Sequence, residues 1–432
     1  MLFNMSPLMA LIPLIIYIIL AFKNVNPLLD VFICVILSAI FTNHSLLNMG
    51  SVLAKSLGSF LSLIGFIILL GAALGEVLKK TGVAENIVFT LMKKIGINTE
   101  KKAMIASMIT SIVLVTLLGT LAGANAIIAP IIISLVAAIG ITPSTLSIIF
   151  QGAGQTGLFL GPFSPPVVTI LGLTHISYVQ YLLKTGLPIS LICWVITYIM
   201  AVKVQKKTKG IYAYENIKNI DINKYKATKE TKRATLAFII SLVLLIIYGI
   251  YSKGGASYAV VVMITVSIVT AIAGGIKLNT MFDIMSKGAG RMLSLFFMFV
   301  LFDPFVSFID EAGAFKALAQ LLTPLIKTGN KLLFSLTSTL TGVFGISGAA
   351  VAQSVVLNKM FAQSASQIGI PATMWSLILL VGSQMTSFAY PGADMICEMG
   401  LAESKDIKSM IKLGITIVIS CILFILLRAL FL

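Results

Sequence analysis

Apolar residues run along this chain for about twenty positions at a time, and short polar stretches between the runs carry most of the charge. A helix of that length, at about 1.5 Å per residue, crosses the hydrocarbon of a bilayer. The pattern predicts membrane-spanning helices over 6–22, 27–42, 57–78, 144–172, 185–204, 234–252, 256–275, 288–310, 371–397 and 407–430. Two other apolar stretches, 103–140 and 332–366, are interrupted by Gly-rich polar tips, Gly119 to Asn125 and Gly342 to Ala350. Each stretch is too long for one helix, and its arms are short for two spans. Both are expected to be re-entrant hairpins, because irregular backbone survives at membrane depth only where protein or water covers it.

The apolar pattern repeats. Gly140, Gln155 and Pro162 are followed 229 positions later by Gly369, Gln384 and Pro391. Gly172 and Gly186 have counterparts at Gly400 and Gly414. Proline cannot donate a backbone hydrogen bond and crowds the preceding turn, so Pro162 and Pro391 predict broken helices over about 144–172 and 371–397. The expected fold is an all-α polytopic membrane protein of two repeats, 1–204 and 234–432. Each would hold five spans, one re-entrant hairpin and one broken helix. An odd number of spans turns the second repeat upside down relative to the first, so the repeats have inverted topology.

Composition agrees and adds orientation. Hydrophobic residues make up 58% of the chain and charged ones 11%, with a mean hydropathy of +1.05. That is too little charge to cover a soluble surface of this size. The net charge of +16 could suggest nucleic acid, but the basic residues lie between apolar runs and are read as topology determinants. Residues 203–233 hold ten basic side chains against three acidic ones, which makes 205–233 a cytoplasmic loop. Both termini then fall outside, in a multi-pass protein of the cell (inner) membrane. The partners implied are the lipid bilayer and a small-molecule or ion substrate, not nucleic acid. Four scattered cysteines and two histidines give no metal-ligand spacing and no catalytic constellation, so neither a metal, a cofactor nor an enzyme is indicated.

The segment Gly75-Glu76-Val77-Leu78-Lys79-Lys80-Thr81-Gly82-Val83 and the break Gly161-Pro162-Phe163-Ser164-Pro165-Pro166 carry a family resemblance. The chain resembles the ion transporter superfamily of secondary transporters. It is similar there to the gluconate permease, anaerobic dicarboxylate carrier and NhaC-type Na⁺/H⁺ antiporter families. The resemblance covers nearly the whole chain and implies paired hairpins and broken helices. It also agrees with a homodimer, the first spans of each half serving as scaffold.

Candidate binding residues come from the interruptions. At the tips these are Thr120, Gly123 and Asn125, and Ser347, Gly348 and Ser354. Around the breaks they are Gln155 and Ser164, and Gln384, Thr386 and Ser387. Unwound backbone frees carbonyls for Na⁺, and the next half-helix presents N–H groups to an anion. Asp303 and Asp394 are the coupling-ion candidates, because a carboxylate in hydrocarbon is paired, protonated or bound to a cation. Gly152, Gly154 and Gly157 match a GxGxxG pattern, but no strand precedes them and close helix packing is the expected role. These features point to a secondary active transporter coupled to H⁺ or Na⁺. It would move a small polar solute, such as a carboxylate or amino acid, by alternating access. A Na⁺/H⁺ antiporter using the two aspartates is the alternative.

Overall fold

The computed structural model describes residues 6–23, 25–214, 222, 224–321, 329–345 and 350–432. Among them there are helices and no strand. Among the described residues, eight helices are long and apolar enough to cross a membrane, and a ninth counts if the bent pair Pro143–Leu160 and Pro165–Thr174 is one span.

The chain opens with α1 (Ile12–Phe22), α2 (Pro27–Phe41), α3 (Met49–Ser56) and α4 (Phe60–Lys80), followed by the amphipathic α5 (Val83–Ile95). Then comes a hairpin of α6 (Glu100–Leu118) and α7 (Leu121–Val136). The interrupted stretch contains α8 (Pro143–Ile149), a π-helical turn at Phe150–Gly154, α9 (Gln155–Leu160) and α10 (Pro165–Thr174). A connector, α11 (Tyr178–Tyr181) with a second π-turn at Leu182–Gly186, leads into α12 (Leu187–Thr208).

The same order then recurs. The helices α13 (Lys229–Tyr251), α14 (Ala256–Ala273), α15 (Leu278–Gly290), α16 (Leu293–Glu311) and α17 (Ala314–Leu321) precede a hairpin of α18 (Lys331–Val343) and α19 (Ala350–Ile368). After it come α20 (Ala372–Gln384), α21 (Thr386–Ala389), α22 (Ala393–Leu401) and α23 (Ile407–Leu430).

The first hairpin differs from the expectation of short arms. Its turn occupies Gly119 and Thr120 alone, because Gly119 adopts a left-handed φ of +66° that reverses the chain at little cost. Residues 121–125 therefore join the return arm, and each arm is 19 residues, Glu100–Leu118 and Leu121–Ile139, long enough to cross. The first two predicted spans are shorter apolar helices, Pro7–Ala21, in which a 3-10 turn runs into α1, and Pro27–Phe41.

Two apolar clusters hold the fold. One joins α1, α2, the first half of α4, and α16, with Tyr17 set edge-on to Phe302 at 5.3 Å. The helix α4 packs on α14, α15 and α16, while α16 packs on α2, α3 and α4. Arg291 pairs with Glu76 across this junction. The second cluster gathers the hairpins, both interrupted stretches, α12 and α23. Within it the post-break helices are exchanged: α10 packs on α19, and α22 packs on α7.

Candidate functional site

The first break is built from Gly161 to Ser164. Gly161 turns out of the helix with ψ 120°, Ser164 is the extended N-cap residue, and Pro165 and Pro166 take the first helical positions, where no N–H is required. The two helical pieces are bent by 43°. The expected free carbonyls are, however, occupied. The Ser164 hydroxyl donates to the carbonyls of Leu158 at 2.6 Å and Gly161 at 2.8 Å. Tyr181 donates to Phe159 O at 3.1 Å, and Tyr178 to Leu160 O at 2.7 Å. The connector after α10 folds back to place these phenols. Three hydroxyl protons thus serve these four carbonyls, and the chain's own donors largely close the first break.

The second break runs through Tyr390, Pro391 and Gly392, with Tyr390 fully extended at φ −152°, ψ 161°. The helix α22 then restarts with Asp394 in its first turn, where the positive end of the helix dipole favours a carboxylate. Ser387 donates its hydroxyl to Asp394 at 2.6 Å, and its carbonyl accepts from the Gln151 amide at 2.9 Å. Gln151 lies in the π-turn of the other half.

A matched pair of glycines lets helices cross the two pre-break ends. A Cβ on Gly186 would stand 2.7 Å from the Phe159 carbonyl oxygen, and one on Gly414 would overlap the Phe388 carbonyl. Phe159 and Phe388 occupy corresponding places before the two breaks, as do the glycines after them. The GxGxxG glycines serve packing as expected. Gly157 faces the backbone of Ile112 and Thr116 on α6, Gly152 faces Thr197, and Gly154 faces Ser111 and Asn125.

Between the breaks lies a buried polar seam. Gln155 donates to Gln384 at 3.5 Å. Asn125 accepts from Ser111 at 2.7 Å and donates to Glu398 at 2.7 Å. All five of these side chains are buried. Four side-chain atoms in the seam are sealed from solvent with no partner: Oε1 of Gln151, Gln155 and Glu398, and Nε2 of Gln384. Buried polar groups are normally paired, so each of these four atoms calls for an explanation. Three are acceptors and one is a donor.

The structure brings Asn125, Gln155, Gln384, Ser387 and Asp394 into this seam. Ser164 is committed to closing its own break. Thr386 donates to Ser383 O at 2.7 Å and Ser354 to Ala350 O at 3.3 Å, both local helix bonds. Thr120 is the N-cap residue of α7 without a capping side-chain bond, and Gly123 sits one turn on, against its hydroxyl. Ser347 and Gly348 lie outside the described residues. Asp303 is half-buried on α16 beside Phe302 and Phe305 of the first cluster, apart from the seam. Sequence reasoning missed Gln151 and gave Glu398 no role. The i, i+4 spacing from Asp394 was the available signal for Glu398, and nothing local distinguished Gln151.

Paired breaks, exchanged helices and a sealed polar seam sit together in this all-helical membrane fold. A family model of GntP family permeases matches residues 4–256, more than half the sequence, and the chain belongs to that family. No curated protein matches it by sequence. Among solved structures it is similar to the Alcanivorax borkumensis YdaH transporter, at 14% identity and TM-score 0.61, covering 93% of this chain and 98% of that one. It is also similar to Neisseria gonorrhoeae MtrF, described with a class of antimetabolite efflux pumps, at 13% identity and TM-score 0.58, covering 93% and 94%.

Proposed function

We propose that the chain is a cation-coupled secondary transporter for a small polar solute, a carboxylate or amino acid, working by alternating access between two inverted repeats. The observation that carries this reading is the Gln155–Gln384 contact. Residues in matching positions of the two halves meet side by side, and each keeps a sealed amide atom unused. A solute with both donors and acceptors answers both orphans at once. Broken helices from two repeats meeting at such a site are the recurrent architecture of secondary transporters. The exchange of α10 and α22 onto the opposite hairpins gives a solute at the seam contacts with both halves, which rocking motions need. In the inner membrane, the basic 205–233 stretch favours a cytoplasmic side and external termini.

The coupling ion belongs with the carboxylates of α22, because that helix joins Asp394 to the seam through Ser387. The test begins with thermal stabilisation of purified protein, screened over organic acids, amino acids and Na⁺. A ligand that binds the folded state raises the melting temperature with concentration. Hits are then followed as radiolabelled uptake into proteoliposomes with imposed H⁺ or Na⁺ gradients. Uptake that collapses when the gradient is dissipated supports the reading. Solute movement indifferent to every gradient sinks it.

A further inference from the structure

Glu398 is a fully buried carboxylate with no basic partner among the described residues. It lies on α22, which packs against α7, α8, the Phe150–Gly154 turn and α21. None of those four elements carries a charged or titratable side chain. The titratable groups near it are Asp394 and Cys397 on its own helix, and Tyr214, whose hydroxyl donates to Ala402 O at 3.1 Å just past the helix end. One oxygen, Oε2, accepts from Asn125 at 2.7 Å. On its other side, Asn125 Oδ1 accepts from the Ser111 hydroxyl at 2.7 Å, which leaves the amide N–H for Glu398. The other oxygen, Oε1, is sealed without any donor.

A bare carboxylate in such a place is strongly disfavoured, and no cationic side chain among the described residues pairs with it. Gln151, on the π-turn that α22 packs against, and Gln155, next in the chain at the start of α9, add two unpartnered neutral oxygens. Oxygen donors of this kind suit a hard monovalent cation, and Oε1 alone suffices for a proton.

We propose that Glu398 is the carboxylate on which the coupling cation, H⁺ or Na⁺, is carried, with Asn125 of the opposite hairpin as its positioning residue. This rests on the transporter reading above and names the ion site within it. The Asn125–Glu398 bond spans the two halves, so the charge on Glu398 sets how firmly the first hairpin holds α22. Cation occupancy thereby alters a contact between the two halves.

The test uses the full purified chain and Glu398→Gln, which keeps an acceptor for Asn125. Melting temperature is read from mildly acidic to mildly alkaline pH, with NaCl against choline chloride. If Na⁺ is the ion, wild type gains stability with NaCl, and Glu398→Gln loses that gain. If H⁺ is the ion, the pH dependence of wild type contains a component that the variant lacks, with no Na⁺ effect in either. Identical pH and Na⁺ profiles in the two proteins overturn the proposal. Should Glu398→Gln fail to fold, Asn125→Ser, which leaves the carboxylate in place, must shift the wild-type pH midpoint or Na⁺ half-saturation. An unshifted midpoint and half-saturation overturn it equally. No transported solute enters these measurements. Cation binding without any solute movement would therefore sink the transport reading alone, and coupled uptake by Glu398→Gln would sink this site alone.

Discussion

The Gln155 amide donates to the Gln384 side-chain oxygen at 3.5 Å, across 229 residues of sequence. That distance is at the limit of a hydrogen bond, so the two amides contribute little to each other. What each retains, a sealed oxygen on Gln155 and a sealed N–H on Gln384, is more consequential. A buried group left unpaired costs about 1–3 kcal/mol, and a bound solute recovers part of that.

Gln155→Ala and Gln384→Ala should therefore act on solute binding more than on folding. Double-mutant thermal unfolding is expected to show a coupling of only about 0.5 kcal/mol or less between them. Each single variant should lower solute affinity by roughly tenfold, or about 1.4 kcal/mol. Unchanged affinity in both variants would remove the pair from the site.

The glycine crossings make a second prediction. Gly186→Ala puts a methyl 2.7 Å from the backbone oxygen of Phe159, and Gly414→Ala puts one against that of Phe388. Backbone oxygens cannot swing away as a side chain can. Each variant should lose about 1–3 kcal/mol or more by overpacking, read as a lower melting temperature. By contrast, Gly152→Ala meets the side chain of Thr197. Adding Thr197→Ala should restore most of that loss. A Gly186→Ala or Gly414→Ala protein as stable as wild type would mean the helices do not cross there.

The phenols that close the first break give a third. Tyr178→Phe removes the donor to Leu160 O and leaves a part-buried carbonyl short of a partner. A stability loss of about 1–3 kcal/mol is expected, with a similar loss for Tyr181→Phe at Phe159 O. If these tyrosines only fill space, phenylalanine will be neutral at both positions in thermal unfolding.

Those tyrosines also show where sequence reading stops. The breaks themselves were legible, because Pro162, Pro165, Pro166 and Pro391 forbid continuous helix whatever surrounds them. That Pro162 opens a self-closed turn was not. It depends on Tyr178 and Tyr181 folding back 18 and 22 residues later. The π-turn at Phe150–Gly154 was also hidden, and it is what aims Gln151 at Ser387, 236 residues away. Glu398 has the same character. Its charge was visible, but its isolation follows from α7 and α8, which the sequence alone does not place beside it. The hairpin tip was read too wide because Gly119 needs no further glycine to reverse the chain. Local backbone chemistry is written in the sequence, and side-chain partners at long range are not.

Asp303 and Asp394 were both coupling-ion candidates in the sequence, with Asp394 favoured by its place beside Pro391, and their surroundings now separate them further. Asp394 accepts from Ser387, which Gln151 ties to the opposite half. Asp303 sits on α16 in the cluster of α1, α2 and α4 and makes no hydrogen bond among the described residues. Asp394→Asn keeps an acceptor for the Ser387 hydroxyl and removes one negative charge a helical turn from Glu398. The expected result is a several-fold weaker dependence of uptake on the driving cation, with the fold intact. Asp303→Asn is expected to leave that dependence where wild type has it. Proteoliposome uptake measured across a series of imposed H⁺ and Na⁺ gradients separates the two variants. Coupling abolished by Asp303→Asn and untouched by Asp394→Asn would move the ion from the seam to the α16 cluster. A half-saturation that shifts only with Asp394→Asn keeps it beside the second break.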